Sequence, residues 1–285
     1  MLVDYLPQGL KDFLGQDLLF WLGYITNGKH LNWYASVQYT LAAMVLGAAI
    51  ALFIGLLAAA ARNSGPLPLR WLAAGYINIV RGVPDVLFFL FFPLAFEQGV
   101  EWVYSLQVCT PETLALNTGS WPPCDAANVS FSTVGYLILA SVSLGIVYGA
   151  FVASVVAGAL RAVPAGQLEA ARAYGMSRTQ VLARIHIRQM WVYALPGIAN
   201  VWMSIVKATS LLSLLQILDF VAWAQRLGAS NFSKAAGLVH DDWRWRYYLV
   251  LLIFYILVTF VSEKIFAIIS RRMRRGMPLA EQNAT

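Results

Sequence analysis

Val134-GYLILASVSLGIVYGAFVASVVAGA-Leu160 runs without one charged residue until Arg161 closes it. About 18 such residues suffice to cross the hydrocarbon core of a bilayer as a helix. Gly145, Gly149, Ala153 and Ala157 recur at spacings that put small side chains on one ridge, where another helix can approach closely. The run therefore predicts a membrane span packed inside a bundle.

Working outward, Tyr39 to Ala61 is a second such run, uncharged until Arg62, with its own ridge of Ala43, Gly47, Ala51, Gly55 and Ala59. The apolar region Trp71 to Phe96 is broken at Arg81-Gly82-Val83-Pro84-Asp85, because proline disfavours helix at the residue before it. Leu69–Val80 reads as an interfacial helix, and a span starts near Pro84, its far end blurred by Glu97 and Glu101. Past Leu160, Trp191 to Leu218 is apolar apart from Lys207, and Tyr247 to Ser270 closes the set before a basic tail. The count is five spans. Composition agrees: 285 residues, 59% hydrophobic, only 12% charged, mean hydropathy +0.64. A soluble chain carries about 25% charged residues, so soluble enzymes, disordered tails and disulfide-dense secreted modules are excluded. The expectation is an all-α polytopic membrane protein.

A net charge of +6 raises nucleic acid as a partner, but the cations sit in short loops rather than in one patch, so none is expected. Arg62, Arg70, Arg81, Arg161, Arg172, Arg178, Arg184, Arg188 and the tail fall on one side, which the positive-inside rule makes cytoplasmic. Lys11, Lys29, Arg226, Lys234, Arg244 and Arg246 fall on the other. The N-terminus is then outside and the C-terminus inside. Residues 1–33 read as a periplasmic or interfacial segment, its acidic start unlike a signal peptide. Residues 34–275 form the transmembrane domain, with an extracytoplasmic insert at 97–131 and a cytoplasmic loop at 161–188, and 276–285 is a cytoplasmic tail.

Catalytic chemistry is not visible. Gly23-Tyr-Ile-Thr-Asn-Gly28-Lys29-His30 approaches a phosphate-binding loop, but His30 replaces the Ser/Thr that would hold magnesium. His30, His186 and His240 are far apart without ligand partners, so no metal site is expected. Cys109 and Cys124 share the outer insert, where a disulfide would persist. Within 161–188, Pro164 and Gly166 start a helix that Gly175 stops as a left-handed cap. Ser177-x-x-Gln180 then forms a capping box for a second helix, on which Val181, Leu182 and Ile185 share a face.

Glu169-Ala170-Ala171, followed at fixed spacing by Gly175 and Ile185, resembles the EAA loop of ABC importer permeases, which docks into a separate ATPase subunit. Arg81-Gly82-Val83-Pro84-Asp85 is similar to the signature of the polar amino-acid subfamily. Tyr148-Gly149-Ala150, Tyr193-Ala194-Leu195-Pro196-Gly197-Ile198 and Lys207-Ala208-Thr209-Ser210-Leu211 extend the likeness over roughly Thr40 to Arg272. It is strongest to the Q-type subunit of histidine/lysine/arginine/ornithine and opine permeases.

The resemblance implies the type I ABC importer permease fold in a bacterial inner membrane, and a transport subunit with no nucleotide site of its own. ATP and magnesium would sit in two partner ATPase subunits. An M-type permease partner, a periplasmic solute-binding protein and surrounding lipid complete the implied assembly, and the cargo is an amino acid, polar or basic, or an opine-like derivative. Glu169, Ala170, Ala171, Arg172, Gly175 and Ile185 would couple to the ATPase. Asp85, Ser154, Lys207, Thr209 and Ser210 would line the substrate pathway. Lys207, 11 residues past Pro196 and so near mid-membrane, is either a structural lysine bonding helix-end carbonyls or Asp85, or a pathway charge attracting a substrate carboxylate beside Thr209 and Ser210. Two departures stand out: the EAA loop ends Ile185-His186-Ile187-Arg188 without the usual proline, and Ser154 stands where relatives usually carry a glutamate. If that glutamate meets a substrate amino group, this subunit binds a different substrate or leaves binding to its partner. The alternative from another class is a stand-alone secondary transporter or channel, which predicts inverted repeats that the sequence does not show.

Overall fold

The computed structural model describes residues 16–116, 119–215, 217–233 and 238–274. Lys11, Lys234, Arg275 and the tail 276–285 lie outside them. Five helices are long and apolar enough to cross a membrane, and the helical run is almost unbroken. In chain order the helices are α1 (Gln16–Ile25), α2 (Gly28–Ser64), α3 (Leu67–Gly82), α4 (Asp85–Val108), α5 (Pro111–Leu116), α6 (Thr133–Ala162) and α7 (Ala165–Ala173). They continue with α8 (Arg178–Val181), α9 (Ile187–Ala208), α10 (Phe220–Gly228) and α11 (Arg244–Met273). The chain divides into two compact units, Met1–Ala42 with Ser210–Ile256, and Ala43–Thr209 with Leu257–Thr285.

The larger unit is built on α6, half of whose residues are buried. Both small-residue ridges meet there. Gly47 faces Leu144, Gly55 faces Val152, and Gly145 faces Ile50, so α2 lies against α6 with no room for larger side chains. A β-carbon on Gly55 would stand 2.5 Å from Val152 Cβ and 2.9 Å from the Gly149 carbonyl oxygen. On the other side, α4 runs antiparallel to α6: Tyr148 donates to Asp85 Oδ2 at 3.1 Å, and farther along Tyr136 donates to Glu97 Oε1 at 2.7 Å. From α11, Ser262 accepts a 2.9 Å hydrogen bond from Trp202 Nε1 of α9.

Three sequence boundaries need correction. The first span begins at Gly28, so one helix runs through the 33/34 domain boundary. Helix α4 passes through Glu97 and Glu101, so the first part of the insert 97–131 is helical. It can, because Glu101 is buried with both oxygens satisfied, by Trp121 Nε1 at 2.6 Å and the Val129 amide at 3.2 Å. The span predicted from Trp191 starts instead at Arg178, since α8 passes through a π-helical turn (Leu182–His186) directly into α9.

In the smaller unit, Trp33 stacks on Phe220 and donates from Nε1 to its carbonyl at 3.0 Å. Tyr247 and Leu251 of α11 complete that core. Helix α10 is capped by Asp219, whose Oδ1 accepts from the Ala222 amide at 2.9 Å.

Candidate functional site

Two places in the larger unit carry the residues singled out from sequence. The first is the segment between α6 and α9. Pro164 precedes α7, and Gly175, at φ +80°, ends it. The Gly175 amide bonds the Arg172 carbonyl at 2.9 Å and the Met176 amide bonds Ala171 at 3.2 Å, the paired closure that needs a left-handed residue between them. Ser177 and Gln180 then cap each other reciprocally. Glu169, Ala170 and Arg172 are exposed, whereas Ala171 is buried and seats the helix. Ile185 is half-buried in the π turn.

Leu182 is exposed and does not share the buried face of Val181. The π turn inserts an extra residue into the helical repeat and rotates the helix beyond it. The sequence reading also missed Tyr174, which stands 89% exposed at the tip beside Gly175. An aromatic directly before a capping glycine in a polar loop was the available signal. The segment is fastened to the bundle by Gln189 of α9, whose amide donates to Gln167 of α7, and by His186, whose Nε2 donates to the Leu160 carbonyl at 2.9 Å.

The second place is the break between α3 and α4. Arg81 Nη1 donates to Ser154 Oγ at 3.1 Å, and its guanidinium lies 5.6 Å from the Phe151 ring centroid. Asp85 accepts from Tyr148 and from the Val86 amide. The structure thus sets the α3–α4 break against α6, Asp85 at Tyr148 and Arg81 at Ser154. Tyr148 lies midway along α6, a helix of 30 residues and so about 45 Å long. Arg81, in the last turn of α3, meets α6 eight residues before that helix ends.

The remaining expected pathway residues fare differently. Lys207 is exposed, in the last turn of α9, where an ammonium complements the negative helix end. Thr209 is fully buried and donates to the Val206 carbonyl at 2.7 Å, closing the end of α9. Ser210 is half-buried, with its carbonyl accepting from Ser213 at 3.3 Å. Cys109 and Cys124 form a disulfide, Cα–Cα 6.0 Å, that closes the insert beyond α4.

Residues 51–275 match the family model of the binding-protein-dependent transport system inner membrane component. The chain belongs to this family. This permease chain is 33% identical to the histidine/lysine/arginine/ornithine transport system permease protein of Escherichia coli K12, over 85% of its own length and 93% of that protein's. It is 28% identical to the octopine transport system permease protein of Rhizobium radiobacter, over 90% and 96%. The fold is shared with a crystal structure of an amino acid ABC transporter with histidines, at TM-score 0.61 and 20% identity, covering 84% of this permease and 93% of that chain. Membership places the permease in the bacterial inner membrane and implies an ATPase and a binding protein as partners. It displaces the stand-alone transporter or channel.

Proposed function

We propose that this chain carries amino acids, polar or basic, or opine-like derivatives, as one half of an ATP-driven import pathway whose other half is an M-type permease partner. The solutes for which its relatives are named, histidine, lysine, arginine, ornithine and octopine, support that cargo. ATP hydrolysis belongs to two partner ATPase subunits, and a periplasmic receptor delivers the solute. The N-terminus is outside and the C-terminus inside, with α7 on the cytoplasmic face.

One observation carries the reading. Helix α7 is a short, capped projection whose exposed residues Glu169, Ala170, Arg172 and Tyr174 end at the positive-φ Gly175. A rigid projection fastened to α9 by Gln167–Gln189 can hand movement of a bound ATPase to the bundle. The pathway residues on this side of the assembly are Asp85, Ser154 and Lys207.

The test is copurification. A tagged full chain, expressed with its chromosomal neighbours and extracted in mild detergent, should bring down soluble ATPase subunits and one further permease chain. Recovery of a stable complex without any ATPase subunit would contradict the reading.

A further inference from the structure

A groove in the smaller unit, between α1, the start of α2 and the start of α11, has no part in the readings above. It measures about 270 Å³ and is lined by aromatic side chains, His30, Ile25 and Val250, with Arg246 its only arginine or lysine. Among the described residues no carboxylate lines it. The buried polar atoms beneath it satisfy each other: His30 Nε2 lies 2.9 Å from the Tyr247 hydroxyl, and its Nδ1 lies 3.0 Å from Asn27 Oδ1. Arg246 is different. Its guanidinium lies 4.6 Å from the Trp243 ring centroid and 5.5 Å from that of Trp245. Trp243 is itself held, stacked on His240 at 4.3 Å with its amide donating to the Gly228 carbonyl at 2.8 Å. Ring faces attract a guanidinium without taking up the N–H donors in its plane. Among the described residues no acceptor or carboxylate meets those donors, whereas nearby Arg244 pairs with Asp242 at 3.7 Å.

Arg246 stands in the first turn of α11, a helix long enough to cross a bilayer, and so at the membrane's edge. Val250 and Ile253, 44% and 51% exposed, follow it on the same helix face toward the membrane interior. We infer that this groove binds one anionic glycerophospholipid, its phosphate on Arg246 and an acyl chain along Val250 and Ile253. The planar fork of a guanidinium matches a pair of phosphate oxygens. An anionic headgroup fits better than a zwitterionic one, because the groove has no carboxylate to receive an ammonium, and Trp243 and Trp245 already hold a cation. A soluble phosphate would leave the apolar face uncovered. On the sidedness proposed above, the lipid belongs to the outer leaflet.

The test uses the full permease assembly in mild detergent, read by native mass spectrometry after incubation with dioleoylphosphatidylglycerol or dioleoylphosphatidylcholine. The intact protein should retain one more phosphatidylglycerol than Arg246→Gln does. It should prefer that lipid about fivefold over phosphatidylcholine, the scale of one arginine at an anionic surface. Arg246→Lys, which keeps the charge but not the fork, should retain part of the preference. Val250→Trp, which leaves the guanidinium in place and fills the apolar end, should lose the lipid as well. Those two variants carry the comparison if Arg246→Gln does not assemble.

Equal retention by the intact protein and Arg246→Gln would overturn the site, as would equal retention of the two lipids by the intact protein, or unchanged retention in Val250→Trp. Displacement of the lipid by an equal concentration of sn-glycerol 3-phosphate would mark a site for a free phosphate ester. Loss of an associated protein chain from Val250→Trp would mark a protein contact. Either result equally overturns the proposal.

Discussion

His186 supplies the hydrogen that Pro164 lacks. The Leu160 carbonyl near the end of α6 would ordinarily accept from the amide four residues on, but that residue is Pro164, which has none. His186 Nε2 donates to it instead, at 2.9 Å, across the whole coupling segment. The π turn that carries His186 aims the ring, and the bond ties the base of α7 to the start of α9.

Replacing His186 by Phe should therefore leave the half-buried Leu160 carbonyl without its donor and destabilise the bundle by about 0.5–1.5 kcal/mol, the usual net worth of one such bond. Gln at 186, which can still donate, should recover part of that. Thermal unfolding of the detergent-solubilised chain reads both. Equal stability of all three proteins would show that the bond does not hold the segment.

Close packing of α2 on α6 gives a second prediction. Gly55→Ala places a β-carbon 2.5 Å from Val152 Cβ and 2.9 Å from a backbone oxygen, which the helix cannot move cheaply. Overpacking of this kind costs about 1–3 kcal/mol. Adding Val152→Ala should restore part of the loss, and the melting temperatures of the two single variants and the pair decide it. No loss in Gly55→Ala would show the ridges are looser than described.

Burial raises the Asp219 carboxyl from 3.8 to about 6, against the opposing amide bonds of its cap, and among the described residues its Oδ2 has no hydrogen-bond partner. The folded state thus binds a proton more tightly than the unfolded chain. Stability should rise as pH falls from about 6 toward 4, by at most about 3 kcal/mol at 1.36 kcal/mol per unit. Asp219→Asn should flatten that rise, measured as melting temperature against pH. A rise that persists unchanged in the variant assigns it to another group.

Sidedness is checked by labelling. With Cys109 and Cys124 replaced by serine, single cysteines at Ser177 and Phe232, both exposed, should react with an impermeant thiol reagent from opposite sides of the membrane. Reaction of both from outside would overturn the five-span topology.

Much of this was legible in the chain. Span centres follow from long uncharged runs, and the turn at Gly175 and the box at Ser177–Gln180 follow from local rules that hold whatever surrounds them. What was hidden depends on distant partners. Glu97 and Glu101 look like helix-ending charges until Tyr136 and Trp121 are seen to satisfy them. Nothing local announces that Arg81 meets Ser154, 73 residues on. The outward turn of Leu182 needs a π turn, which no period-3.6 pattern announces. That Thr209 bonds the Val206 carbonyl at a helix end is likewise invisible in residue type alone.

The central claim is that α7 couples this chain to an ATPase, and the most direct measurement is ATP hydrolysis by the Gly175→Asp assembly in proteoliposomes. Aspartate at φ +80° strains the turn and puts a negative charge at the exposed tip beside Tyr174. Insertion and assembly should survive, because nothing lies within 4 Å of the added β-carbon. Stimulation of hydrolysis by solute-loaded receptor should be lost. Stimulation equal to that of the unmodified protein would contradict the account.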